Sequence, residues 1–270
     1  MSLQDRKEIK KIEIAAAVLV LLVMMVLAGC GNRGAQKESG GENPEALEET
    51  ANAQPEQSQT GLAYETAKDA EIDFKALKAE NPDIFAWLHV PGTNIDCPVL
   101  QSEEADDYYE THNAYGKEDP KGAVYTELAN LKDMCDFNTV LHGKGTEKDD
   151  VFAELYQFGD KDFFQKNHTI YLYLEDNLLT YEVFAAYERE DSSLIRTYDF
   201  TYAEGCEAFL QDLYYTKTMG KNIREGWEGI NAYNFLITLT VSNETTPGKQ
   251  YVVVAALVGD AAGKIDRIVE

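Results

Sequence analysis

Two apolar, β-branched runs near the C-terminus dominate the hydrophobic pattern of the chain. The first covers residues 235–241 and the second covers residues 251–258, and a short polar segment separates them. Apolar runs of this length, bounded by turn residues, predict two buried strands joined by a loop. Because reactive groups are often carried by a loop between rigid elements, Ser242, Lys249 and Gln250 are candidate functional residues.

The rest of the chain carries shorter runs of the same kind. Strands are predicted at 84–90, 95–101, 123–125, 138–142, 168–174 and 179–187, and helices at 72–78, 151–158 and 203–215. The last of these helices places Phe209, Leu210 and Leu213 on one face. Many short strands with few helices predict a mainly β fold, a closed β-barrel with peripheral helices.

The N-terminus has the form of a secretory signal. Four basic residues lie within 1–13, and an apolar run of 16 residues, 14–29, follows them. This run is shorter than the roughly 20 residues that a membrane-spanning helix needs. It ends at Leu27-Ala28-Gly29-Cys30, which resembles a bacterial lipobox, and the resemblance implies that Cys30 is lipidated.

Residues 1–30 are therefore predicted to be a lipoprotein signal peptide and membrane anchor, with an uncleaved signal anchor as the alternative. Residues 31–66 are predicted to be a disordered acidic linker, because residues 31–60 are rich in Gly, Glu, Gln, Asn and Ser and have almost no large apolar side chains. Residues 67–270 form the predicted globular domain. We expect this domain at the extracytoplasmic face of a bacterial cell membrane, held there by the lipid anchor.

Charge and cysteine content exclude several classes of function. The chain has 48 acidic and 24 basic residues and a formal net charge of −24, so nucleic acid is not expected as a partner. The four cysteines form no CxxC motif, and no Cys/His cluster has the spacing of a zinc site. The sequence therefore predicts no metal and no cofactor.

A series of short motifs resembles the class B sortase family. The motifs, in chain order, are Asn81-Pro82-Asp83, Trp87, Pro91-Gly92-Thr93-Asn94-Ile95-Asp96, Pro98-Val99-Leu100-Gln101, Asp107-Tyr108-Tyr109, Gly122, Asn138-Thr139-Val140 with Gly143, Phe152, Tyr171-Leu172-Tyr173, Tyr181-Glu182-Val183-Phe184, Thr238-Leu239-Thr240 and Tyr251-Val252-Val253. In this order and spacing, the motifs extend over roughly residues 74 to 258. The resemblance implies a sortase-like β-barrel with added helices.

The resemblance also implies an activity and a partner. In this family a cysteine thiolate cleaves a sorting signal in a surface protein, and an amine of the cell wall resolves the acyl-enzyme. The implied partner is therefore an extended peptide or a surface protein with a sorting signal.

All three positions that carry the family's chemistry are substituted in this chain. The family cysteine ends a pattern like Thr-Leu-Ser-Thr-Cys, and Ser242 stands at its place. The family histidine follows the glycine of a pattern like Asn-Thr-Val-x-x-Gly-His, and Lys144 stands there. The family arginine opens the last strand, and Gln250 stands there.

These substitutions weaken each step of the implied reaction. A thiol titrates near 8.5 and is partly ionised at neutral pH, whereas a serine hydroxyl needs a base close by. Lys144 is ordinarily protonated, and an acidic sequence follows it, so it acts as a base only if it is desolvated. Gln250 can donate hydrogen bonds to an oxyanion but brings no positive charge.

Several interpretations stay open at this point. The first is a pseudo-enzyme that keeps the peptide-binding scaffold, and the second is an acyl-transfer enzyme or hydrolase using Ser242 with Lys144. A third gives the role of base to His142, whose ordinary role is that of a residue at a strand end. For Cys97 there are two interpretations: a displaced nucleophile, or a small residue of the core. A different class of function is a non-catalytic accessory lipoprotein that binds a sortase or a surface protein.

Overall fold

The computed structural model describes residues 72–243 and 246–266. The predicted signal peptide, the lipidation of Cys30, the linker and the start of the domain at residue 67 lie outside these residues and stay predictions. Within the two described ranges, no helix is both long enough and apolar enough to cross a membrane.

Nine strands form one sheet in the described part of the chain. They are β1 (Ile84–His89), β2 (Asp96–Leu100), β3 (Val124–Tyr125), β4 (Asn138–His142), β5 (Thr169–Leu174), β6 (Asn177–Glu190), β7 (Asn222–Ile223), β8 (Leu236–Asn243) and β9 (Lys249–Asp260). Their order is β5-β1-β2-β3-β4-β8-β9-β6-β7, and β5 also pairs with β6. This last pairing closes eight strands into a barrel and leaves β7 outside it, which confirms the predicted fold class.

Helices lie around the barrel. They are α1 (Phe74–Glu80), α2 (Lys161–Lys166), α3 (Leu194–Thr197) and α4 (Ala203–Tyr215), with 3₁₀ helices at Tyr108–Glu110 and Ala153–Gly159. The segment that the sequence predicts as a helix at 151–158 is thus a 3₁₀ helix. Asp160 adopts an extended conformation at its end, and its carboxylate accepts the backbone N–H of Phe163, which starts α2 as a separate helix.

The strands β8 and β9 are buried on both faces. Their alternate residues enter two different cores: Ile237, Leu239, Val241, Tyr251, Val253 and Ala255 point into the barrel, whereas Leu236, Val252, Val254 and Ala256 pack in the cluster that contains the apolar face of α4. A strand covered on both sides has no polar face, which explains why the sequence shows continuous apolar runs here.

The topology brings three strand ends to one place. β4 and β8 are parallel neighbours, so both finish at the same end of the barrel, and the antiparallel β9 begins there. We call this the Ser242 end of the barrel. All four candidate residues on or beside these strands, Lys144, His142, Ser242 and Gln250, belong to it.

Candidate functional site at the Ser242 end of the barrel

The end of β4 is aligned with the end of β8. His142 and Thr240 are register partners, and the backbone N–H of Gly143 donates to the carbonyl of Thr240 over 3.3 Å. Register partners share a face of a sheet, and residues two apart on one strand do as well. His142, Thr240 and Ser242 therefore lie on the same face.

Ser242 is exposed near the end of β8, and its backbone is held from the opposite side of the strand. The hydroxyl of Tyr156 donates to the carbonyl oxygen of Ser242 over 3.3 Å. The ring of Tyr156 packs against that of Tyr251, with 5.3 Å between the ring centroids. The 3₁₀ helix Ala153–Gly159 thus fixes the main chain that presents Ser242.

Gln250 is the direct cross-strand partner of Ser242 on β9, and its side chain is fully engaged elsewhere. The hydroxyl of Thr240 donates to Gln250 Oε1 over 2.5 Å. Gln250 Nε2 donates to the carbonyl oxygens of Ser192, at 2.8 Å, and Glu190, at 3.2 Å. Because Gln250 is buried, water does not compete for these bonds.

Lys144 lies between two glycines that hold its backbone close to the barrel. A Cβ atom on Gly143 would stand 2.7 Å from the ring of Phe152, and one on Gly145 would stand 2.6 Å from a methyl group of Val241. Neither position leaves room for a side chain. The amine of half-buried Lys144 donates to the carbonyl oxygen of Pro120 over 2.6 Å.

His142 pairs with a carboxylate that the sequence interpretation missed. Its Nε2 lies 3.3 Å from Glu127 Oε1, a distance typical of an ion pair without the alignment of a hydrogen bond. Its ring stacks on that of Tyr125, with centroids 5.1 Å apart. The interaction with His142 holds the pKa of the Glu127 carboxyl below its ordinary value, although burial opposes the shift. Glu127 also accepts a hydrogen bond from the hydroxyl of Ser193 over 3.4 Å.

These contacts keep the candidate catalytic groups apart. Among the described residues, the structure records no hydrogen bond from Ser242 to Lys144 or to His142. The His142 ring contacts residues of and after β3, the neighbour of β4 on the side away from β8. Lys249 bonds to Glu190. Among residues 72–243 and 246–266, exposed Ser242 thus has no hydrogen bond to a basic side chain.

The three cysteines of the described residues supply no replacement nucleophile at this end of the barrel. Cys97 lies in β2 and packs against the barrel core, and burial, followed by the charge of Asp96, raises the pKa of its thiol to about 12. Cys206 is buried in α4, where its Sγ lies 3.5 Å from the carbonyl oxygen of Phe200. Burial also raises the pKa of Cys135. Within residues 72–243 and 246–266, no group of His, Cys, Asp and Glu side chains has the arrangement of a metal site.

Comparison with known proteins finds relatives and solved structures that are described as sortase B. No model of a known protein family matches the chain. A curated relative, sortase B of Listeria monocytogenes, is 30% identical over 154 residues, which cover 56% of this chain and 61% of the relative, less than two thirds of its length.

Solved structures agree with the curated relative. The crystal structure of Clostridium perfringens sortase B has a TM-score of 0.61 and 28% identity, and the match covers 68% of this chain and 99% of that chain. A structure described as a Staphylococcus aureus sortase B–substrate complex has a TM-score of 0.56 at 24% identity, covering 68% and 84% of the two chains, and supports the fold.

Proposed function

We propose that this chain, which is similar to class B sortases in sequence and in fold, is a membrane-anchored, extracytoplasmic sortase-like protein that has lost transpeptidation and keeps a peptide-binding scaffold. Its ligand is an extended peptide or a surface protein with a sorting signal. The solved complex of a related fold with a substrate supports a peptide site on this scaffold.

One observation carries the proposal. The side chains at the two positions that support the family's nucleophile both bond to backbone carbonyls away from Ser242: Lys144 to Pro120, and Gln250 to Glu190 and Ser192. A serine hydroxyl without a base is a poor nucleophile, and an uncharged amide whose donors are in use cannot stabilise an oxyanion. The barrel around these positions is complete, so the surface for a peptide is kept while the reaction is not.

Turnover is the direct test. The full-length protein, purified in detergent, is mixed with a panel of sorting-signal peptides and an amine acceptor, and products are followed by mass spectrometry. We expect no cleavage and no transpeptidation product. Cleavage by the native protein that is lost in Ser242→Ala would refute the pseudo-enzyme proposal and favour a serine-dependent enzyme.

Binding is tested separately with the same peptides, labelled with a fluorophore, by fluorescence anisotropy. We expect Ser242→Trp to abolish binding, because a large side chain at this exposed position would obstruct the site. Ala262→Trp is the matched control, since Ala262 is exposed and follows the end of β9, whereas Ser242 faces the start of β9. If no peptide binds the native protein, or if both variants bind equally well, the peptide-site proposal is wrong.

A further inference from the structure

Two loops lie at the Ser242 end of the barrel. Lys144 donates a hydrogen bond to one of them, and Gln250 donates to the other. The Pro120 loop, residues 113–123, receives the amine of Lys144 at the carbonyl of Pro120. The Ser192 turn, residues 190–193, receives the amide of Gln250 at two carbonyls. Both donors stand at positions where the family carries catalytic groups, so the same substitutions that remove the chemistry also create these contacts.

Few other polar contacts join the Pro120 loop to the segment that follows β4. Its internal bonds include Gly122 N–H to Asp119 O at 3.0 Å. A second link to the segment after β4 is the ion pair of Lys121 with Asp149, but both side chains are more than half exposed, at 52% and 72%. Exposed pairs of this kind contribute little. The bond from Lys144 to Pro120 O, at 2.6 Å, is the other polar contact between the loop and that segment among the described residues.

The Ser192 turn is attached through the start of β9. Asp191 N–H donates to Gly248 O over 2.9 Å, and Gln250 Nε2 adds two bonds from a buried position. The hydroxyl of Thr240 engages the other end of the same amide, so the direction of the Gln250 side chain is fixed. The turn is thereby tied to the strand residue that faces Ser242.

We propose that Lys144 and Gln250 are positioning residues that hold the Pro120 loop and the Ser192 turn in place as pre-arranged sides of the peptide site. This inference rests on the proposed peptide-binding function and deepens it. Ordering a loop during binding lowers affinity, so loops that are fixed beforehand strengthen binding of an extended peptide. The side chains that replaced the family's catalytic groups thus act on affinity rather than on chemistry.

Amide hydrogen exchange in the absence of peptide tests the positioning role. In the full-length protein in detergent, we expect Lys144→Met to speed exchange of the Asp119 and Gly122 amides about fivefold, the usual effect of one lost hydrogen bond. Lys144→Arg, which keeps a cationic donor, restores native exchange. Gln250→Met is expected to have a similar effect on Asp191 and Ser192.

Thr240→Val is the matched control for the second loop. It removes the bond to Gln250 Oε1 but keeps the Nε2 donors, so exchange in the Ser192 turn should change less than in Gln250→Met. Unchanged exchange at Gly122 in Lys144→Met would overturn the inference, as would an equal acceleration at amides of the barrel core such as Leu172.

Peptide affinity is the functional measurement. For a panel peptide that binds the native protein, we expect Lys144→Met and Gln250→Met each to weaken binding about tenfold, and Lys144→Arg to retain it. Unaltered affinity in both Met variants would contradict the inference. If the native protein binds no peptide, the proposed function fails, and the exchange measurements alone decide whether the two residues position their loops.

Discussion

Gln250 stands directly opposite Ser242 in the β8–β9 pair, and yet its side-chain amide bonds to Thr240 and to the Ser192 turn. Two residues that the family resemblance predicts at catalytic positions are therefore adjacent in the sheet, and their side chains make no hydrogen bond to each other in the described structure. Adjacency comes from the strand register, which the fold dictates. Chemistry depends on the side chains, and the proposed function holds that those have changed.

Restoring the side chains of the family should therefore restore chemistry on the same scaffold. We expect the triple variant Ser242→Cys, Lys144→His and Gln250→Arg to cleave a sorting-signal peptide, with a thiol as the nucleophile and a charged donor for the oxyanion. Ser242→Cys alone should remain inactive, because neither supporting group is present. The rate of the triple variant should be low, since it also loses the bonds that Lys144 and Gln250 make to their loops.

The measurement for this variant is peptide cleavage followed by mass spectrometry, which would also detect an acyl-enzyme. The control replaces Cys by Ala at position 242 in the same background, and it must abolish turnover. A triple variant that folds and binds peptide but forms no covalent intermediate would show that the scaffold itself no longer supports the reaction.

Gly143 allows the chain after β4 to lie against Phe152. We expect Gly143→Ala to destabilise the protein by about 1–3 kcal/mol, because the new Cβ would stand 2.7 Å from a buried aromatic ring. Gly229→Ala is the matched control, since a Cβ there has no neighbour within 4 Å, and its effect should stay within about 0.5 kcal/mol. Urea unfolding measures both, and equal stabilities would contradict the expected overlap.

The barrel could be predicted well from the sequence for a physical reason. The strands β8 and β9 are buried on both faces, and that burial produces the long apolar runs of the pattern. The helix at 203–215 was also predicted within its observed bounds, because its apolar residues share one face. The short elements β7 and α3 carry no such periodic signal, since two or four residues do not complete a pattern.

The sequence predicts which residues form the candidate site, but it does not predict the contacts that they make. The family motifs placed Ser242, Lys144 and Gln250, and the structure brings all three to one end of the barrel. Glu127 had no signal of its own, because it is a single acidic residue after a two-residue strand in an acidic chain. Its pairing with His142 follows from the β3–β4 register, in which Tyr125 faces His142.

The Glu127–His142 pair predicts a pH dependence of stability. The folded pKa of the Glu127 carboxyl is lowered, so the pair stabilises the folded state at pH values above the ordinary glutamate pKa of about 4.3, and this contribution is lost as the pH falls through the lowered value. We expect Glu127→Gln to lower the free energy of unfolding by about 1–3 kcal/mol at pH 7.

Urea unfolding of the native protein and Glu127→Gln from pH 7 to below pH 4 measures the effect. The difference between the two proteins should shrink as the solution becomes acidic and the Glu127 carboxyl is protonated. A difference that grows below pH 4 would mean that burial dominates and that the folded state prefers the protonated carboxyl, which contradicts the lowered pKa.

The hydroxyl of Tyr156 fixes the main chain at Ser242, and its removal should loosen this strand end. We expect Tyr156→Phe to lower the free energy of unfolding by about 0.5–1.5 kcal/mol, because one hydrogen bond to the Ser242 carbonyl is lost while the aromatic packing on Tyr251 is kept. Tyr215→Phe is the matched control, since Tyr215 is 79% exposed and the same change there should have little effect. Urea unfolding compares the two variants, and equal losses of stability would show that the Tyr156 hydroxyl does not hold Ser242.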